Sequence, residues 1–171
     1  MSETVFGALT LWLALLVLSG CADSSGMKDP ERTEGTASEV DALVDGWRWR
    51  NRVLLIWSES EQALATQSDR VLAHWSAWEE RNLLLVLVEP EGILVVRRFE
   101  DGGPVGPTLG PAAARDLARR LDLGPGKVTA AVLVGKDGGV KRRYAGVVDV
   151  EGVLSLIDSM PMRIREMRRE S

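Results

Sequence analysis

Two short stretches of this chain, Val53-Leu54-Leu55-Ile56-Trp57 and Leu83-Leu84-Leu85-Val86-Leu87-Val88, are apolar at every position. A strand wetted on one face alternates apolar and polar residues, so uninterrupted runs of this kind predict strands covered on both faces. Between them Leu64, Val71, Leu72, Trp75 and Trp78 recur at helical spacing, behind Ser58 to Ser60, which offer N-cap hydroxyls. Strand, helix and second buried strand make a βαβ unit, whose crossover should be right-handed.

The remainder extends this unit. Ile93 to Phe99 reads as a further short strand, and Asp101 to Gly110, rich in Gly and Pro, as an irregular loop. Pro111 opens a helix with Ala114, Leu117, Ala118 and Leu121 on its apolar face, and Gly124 sits where a C-cap glycine belongs. Val128 to Val134 is a strand, Asp137-Gly138 a tight turn, and Val140 to Tyr144 the returning hairpin partner. Asp149 is placed to cap a last helix bearing Val150, Val153, Leu154, Ile157 and Met160, which Pro161 should kink or break, with a short turn following through Met167. The order β-α-β-(β)-α-β-β-α is an α/β layout of thioredoxin-like type: a βαβ unit, a helix, a β-hairpin and a C-terminal helix. Upstream, Trp47 and Trp49 alternate with Arg48, Arg50 and Arg52. That pattern suits ligand stacking or a lipid interface, but the plainer expectation is a strand lead-in with aromatics on one side and solvated arginines on the other.

Residues 1–20 are expected to be an address, not structure. Val5 to Leu18 is almost wholly apolar, too short for a comfortable membrane span but suited to a signal-peptide core. It runs into Leu18-Ser19-Gly20-Cys21, which resembles the lipobox of bacterial lipoproteins. That resemblance implies cleavage before Cys21 and acylation of its thiol, giving stable anchoring when more than one chain is buried. The residue after the cysteine is Ala22 and not Asp, which by analogy favours an outer membrane location facing the periplasm over the inner membrane. Residues 21–45 carry seven acids against Lys28 and Arg32 and read as a flexible, self-repelling tether. The expected domain then spans residues 46–171.

Of the net charge of −4, the leader and tether hold more than their share, which leaves the domain mildly basic. No dense basic stripe is present, so nucleic acid is not an expected partner. Cys21 is the sole cysteine, which excludes an intramolecular disulfide, a CxxC pair and a cysteine zinc site. Three strings, Arg48 to Leu55, Val134 to Lys141 (Val-Gly-Lys-Asp-Gly-Gly-Val-Lys) and Ile157 to Met167 (Ile-Asp-Ser-Met-Pro-Met-Arg-Ile-Arg-Glu-Met), are similar to a recognisable family. It is the thioredoxin- and peroxiredoxin-like domain of unknown function found in bacterial envelope proteins and in vertebrate sushi-repeat-containing extracellular proteins. The resemblance implies the fold and supplies no catalytic residue.

Where catalytic thioredoxin-like proteins carry a reactive cysteine, this chain has Trp57-Ser58-Glu59-Ser60-Glu61-Gln62. Serine there cannot exchange disulfides, so Ser58 and Glu59 are candidate binding residues set beside a capping role at the helix dipole. Lys136 is a second candidate, although turn geometry alone explains Lys136-Asp137-Gly138-Gly139. Met162 and Arg163 form a third, as a docking surface on a basic C-terminal end. His74 is the only histidine and is read as a boundary residue, so neither metal nor cofactor is expected. Gly124-Pro125-Gly126-Lys127 lacks the Ser or Thr of a phosphate loop and leads into a strand. The expected function is that of a membrane-anchored envelope lipoprotein carrying a non-catalytic binding module for another envelope component; the alternative is an envelope enzyme using non-thiol polar groups near the end of the first strand. Replacing Cys21 by Ser should abolish both palmitate incorporation and processing, and equal labelling of mutant and wild type would refute the anchor.

Overall fold

The apolar runs do become the centre of the molecule. The computed structural model describes residues 34–170 apart from 102, 125, 127 and 128, all within one compact unit, Thr33–Ser171; Cys21 and the expected leader lie outside the described residues. Strand β1 (Arg52–Ser58) pairs in parallel with β2 (Leu83–Glu89), and Val53 faces Leu84. On its other side β1 pairs antiparallel with β7 (Thr129–Val134). The main sheet has the order β6-β3-β2-β1-β7-β8, with β3 at Gly92–Val96, β6 at Thr108–Leu109 and β8 at Val140–Ala145.

Alternation along the strands divides the core into two layers. Val53, Leu55 and Trp57 join Leu84, Val86 and Val88 on one face, under α1 (Glu34–Trp47) and α4 (Pro111–Arg120). Leu54 and Ile56 join Leu83, Leu85 and Leu87 on the other, under α2 (Glu61–Leu72), α3 (Trp75–Glu80) and α5 (Val150–Asp158). Every β1 residue is buried, as the uninterrupted apolar run requires.

Local chemistry sets the element ends. Ser60 caps α2 and its hydroxyl accepts from Ala63 N–H at 3.3 Å. The expected single long helix after β1 is two, α2 and α3, separated at Ala73–His74. This break lets Trp78 reach the core while Trp75 meets Phe99 edge-on, with ring centroids 5.0 Å apart. Gln67, buried in α2, clamps the entry to α5: its amide donates to Val148 C=O at 3.2 Å and accepts from Val148 N–H at 2.9 Å. Pro161 breaks the last helix as expected, but the second part is a full helix, α6 (Pro161–Glu170), with proline at its first position where no hydrogen bond is lost.

Three expectations need correction. The segment 101–110 is not irregular: β4 (Arg98–Glu100) and β5 (Gly103–Val105) form a small hairpin, and β6 adds an edge to β3. Val95 N–H donates to Pro107 C=O at 3.0 Å and Arg97 N–H to Val105 C=O at 2.9 Å. Gly106 permits this approach, since a Cβ there would overlap the Val95 carbonyl. Trp47 and Trp49 are not a strand lead-in. Trp47 is buried at the end of α1, whereas Trp49 lies in the following turn at φ +65°, two-thirds exposed. That conformation costs a bulky L-residue about 1–2 kcal/mol.

The third correction moves the domain boundary. The expected tether does not extend to residue 45, because α1 begins at Glu34 and packs on the sheet through fully buried Val40 and partly buried Leu43 and Val44. Asp41 on α1 also pairs with Arg120 on α4. Burying a Val or larger apolar side chain contributes about 1.5–3 kcal/mol, so a chain starting at Arg48 should be less stable than one starting at Thr33 by roughly 3–6 kcal/mol. Urea unfolding of the two checks this, and coincident midpoints would show α1 to be dispensable.

Candidate functional site

The carboxyl ends of β1 and β2 open onto a cleft of about 1030 Å³. Its lining comes from the β1–α2 junction, the first turns of α2, the β2–β3 turn and the segment 103–110. Five carboxylates line it, Glu59, Glu61, Asp69, Glu89 and Glu91, and no Lys, Arg or His does so among the described residues. Leu64, Leu87 and Ile93 supply apolar floor. Burial, with Glu91 and Glu61 adding their negative charge, pushes the Glu89 carboxyl above its ordinary pKa. Among the described residues no group of three or more His, Cys, Asp or Glu side chains is arranged to hold a metal.

Ser58 and Glu59 both border this cleft, but differently. Glu59 is exposed at the rim. Ser58 is fully buried, and its hydroxyl accepts from Ser60 N–H at 3.0 Å and reaches Ser60 C=O at 3.2 Å. It shapes the turn into α2 and presents no accessible surface to a ligand. Glu89 and Glu91 went unremarked in the sequence. The available signal was Glu89-Pro90-Glu91 directly after the second buried strand, since parallel pairing sets that turn beside the end of the first.

The other candidates gather at the opposite end of β1. Lys136, in the β7–β8 turn, donates to Glu166 on α6 at 2.9 Å. Arg52, at the start of β1 and 1% exposed, donates to the other Glu166 oxygen at 3.1 Å and to Arg81 C=O at 2.8 Å. Arg163 is equally buried. It donates to Glu80 at 2.6 Å and lies 3.6 Å from Asp158 and 3.9 Å from Glu166. Arg81 closes the group with a fork onto Asp158, at 2.9 and 2.7 Å. Arg163 is therefore not part of an exposed docking surface. Proline at the first position of α6 turns it inward, while Met162 on the same helix stays partly exposed.

Burial alone would raise the pKa of Glu166, but the hydrogen bond from Lys136 and the charge of Arg52 outweigh it and hold the carboxyl below its ordinary value. A carboxylate depressed in the folded state stabilises the fold above its unfolded pKa, and that contribution is lost as pH falls through the folded value. Removing one partner of a buried pair leaves charge uncompensated and costs about 3–5 kcal/mol. Glu166→Gln should thus lower stability at neutral pH by roughly that amount and flatten the acid limb of the stability profile. Denaturation between neutral and acid pH checks both, and an unchanged acid limb would remove Glu166 from this role.

The architecture resembles known structures. A reduced 2-Cys peroxiredoxin from Plasmodium vivax aligns with TM-score 0.52 and 14% identity, covering 71% of this chain and 71% of that one. A yeast mitochondrial 1-Cys peroxiredoxin aligns with TM-score 0.51 and 14% identity, covering 72% and 70%. At such identity the likeness is one of fold, and the fold is thioredoxin-like. No curated protein sequence matches the chain significantly. Residues 43–166 match the family described as Domain of unknown function (DUF4174), and the chain belongs to that family.

Proposed function

We propose that the protein is a lipid-anchored envelope protein whose thioredoxin-like domain is a non-catalytic binding module, with the cleft beyond β1 and β2 as its ligand seat. The observation that carries the binding reading is the cleft, in which five carboxylates surround an apolar floor with no lining cation among the described residues. Ligands of open α/β sheets bind beyond the carboxyl ends of the strands, and apolar walls with a few convergent polar groups are the usual make-up of such sites. Anchoring rests on Leu18-Ser19-Gly20-Cys21 after an apolar core, and Ala22 supports the outer membrane. No helix among the described residues is long and apolar enough to cross a membrane; lipid on Cys21 is the attachment this reading proposes.

The ligand this seat fits is positively charged and carried on an apolar stem, as in a lysine-bearing segment of another envelope protein. Its ammonium groups would offset the burial and the neighbouring negative charge that raise Glu89, and its methylenes would cover Leu64 and Ile93. Binding should weaken as pH falls through the raised Glu89 pKa, before the ordinary carboxylates protonate. Trilysine titrated into the protein should shift amide resonances of Glu59, Glu61, Glu89 and Glu91. Glu89→Gln should reduce its affinity by about two- to fivefold, the scale of one partly solvated charge pair. Equal response to triglutamate, or shifts elsewhere on the molecule, would overturn the assignment.

A further inference from the structure

We infer that the turn after α1, with the exposed face of α6, is a surface that docks onto an anionic lipid bilayer. Trp49 carries the inference. It holds a backbone conformation that L side chains rarely adopt, at φ +65°, and its indole is 67% exposed. The backbone N–H of Trp49 donates to Lys136 C=O at 2.6 Å, which fixes the turn against the β7–β8 hairpin tip. Local packing of the indole does not repay the strain, and an outlier held by its surroundings points to a role outside the fold. The neighbouring hairpin exposes a second large apolar residue, Val140.

The charges around Trp49 decide the occupant. Arg48 and Arg50 flank it in sequence and are exposed, and the Arg48 guanidinium lies over Gly138 at the hairpin tip. Glu166, which ties α6 to Lys136, is turned inward, while Arg165, Arg168 and Arg169 of the same helix are exposed. The nearby acids Asp45 and Asp137 are engaged by Arg48 and Lys141. A tryptophan flanked by two exposed arginines, with three more on the helix tied to the same hairpin tip, matches a phospholipid interface, with the indole at headgroup depth and guanidinium groups on phosphates. The acidic cleft occupies the opposite end of β1. Docking through Trp49 would therefore hold the cleft away from the anionic surface that would repel it. The inference draws on the anchored reading only for a nearby bilayer.

The test uses the full chain reconstituted, through its apolar N-terminal stretch, into vesicles of phosphatidylcholine alone or mixed with phosphatidylglycerol, with and without brominated acyl chains. Quenching of Trp49 is read as the difference between wild type and Trp49→Phe. Quenching in the phosphatidylglycerol vesicles, abolished by high salt and by the double variant Arg50→Glu/Arg168→Glu, is expected. Trp49→Gly should melt no lower than wild type, because glycine accepts the positive φ. Absence of quenching, quenching equal in phosphatidylcholine, insensitivity to charge reversal, or a large loss of stability in Trp49→Gly would each overturn the docking surface. Palmitate labelling at Cys21 is scored separately, so failure of the anchor and failure of the surface are told apart.

Discussion

A guanidinium at the foot of the central strand governs how this domain closes. Arg52 begins β1, pairs with Leu83 of β2, and retains 1% of its surface. An ion moved out of water costs several kcal/mol unless it is paired and its donors are used. Its partners come from distant parts of the chain: the Arg81 carbonyl after α3 and the Glu166 carboxylate on α6. Glu166 also takes Lys136, so helix and hairpin tip are fixed to the same atoms. An apolar residue at position 52 would leave α6 with the contacts of an ordinary amphipathic helix. With arginine there, the docking of α6 supplies the carboxylate that pairs the buried guanidinium.

The network is not a simple source of stability. Four cations, Arg52, Arg81, Lys136 and Arg163, meet three carboxylates, Glu80, Asp158 and Glu166. Desolvation cancels much of the attraction in such clusters, and well-packed apolar replacements often do as well. What the charges add is directionality. Two oxygens of Glu166 facing Arg52 and Lys136 admit few placements of α6, whereas an apolar stripe would tolerate sliding by a turn. The helix restarts at Pro161, and it is from this second helix that residues 163 and 166 reach the network.

What could be read in the sequence followed from how local each signal was. The βαβ unit, the hairpin and the break at Pro161 rest on apolar runs, a Gly turn and a proline, all visible within a few residues. Arg52 was not distinguishable from Arg48 and Arg50, because three alternating arginines look alike until strand register buries one of them. Helix α1 was masked by acids and small residues around its few core positions, Val40, Leu43, Val44 and Trp47. Arg163 was expected on an exposed docking surface because its ion partners Glu80 and Asp158 lie far off or on another helix. In the candidate site the position of Ser58 and Glu59 was legible, but Glu89 and Glu91 join it only through parallel pairing of β2 with β1.

The three strings that carry the family resemblance deliver Arg52, Lys136, and Arg163 with Glu166 to one place. None of them lines the cleft. In this chain those strings meet where the foot of the sheet is closed. The cleft proposed above as a ligand seat lies at the other end of β1, on a capped helix start and two turns. The domain thus has an ion-paired end and an open end lined by surface carboxylates. At the open end a single surface carboxylate can be replaced at a cost of only a fraction of a kcal/mol to about one. Altering the locked end means solving the pairing of seven charges at once.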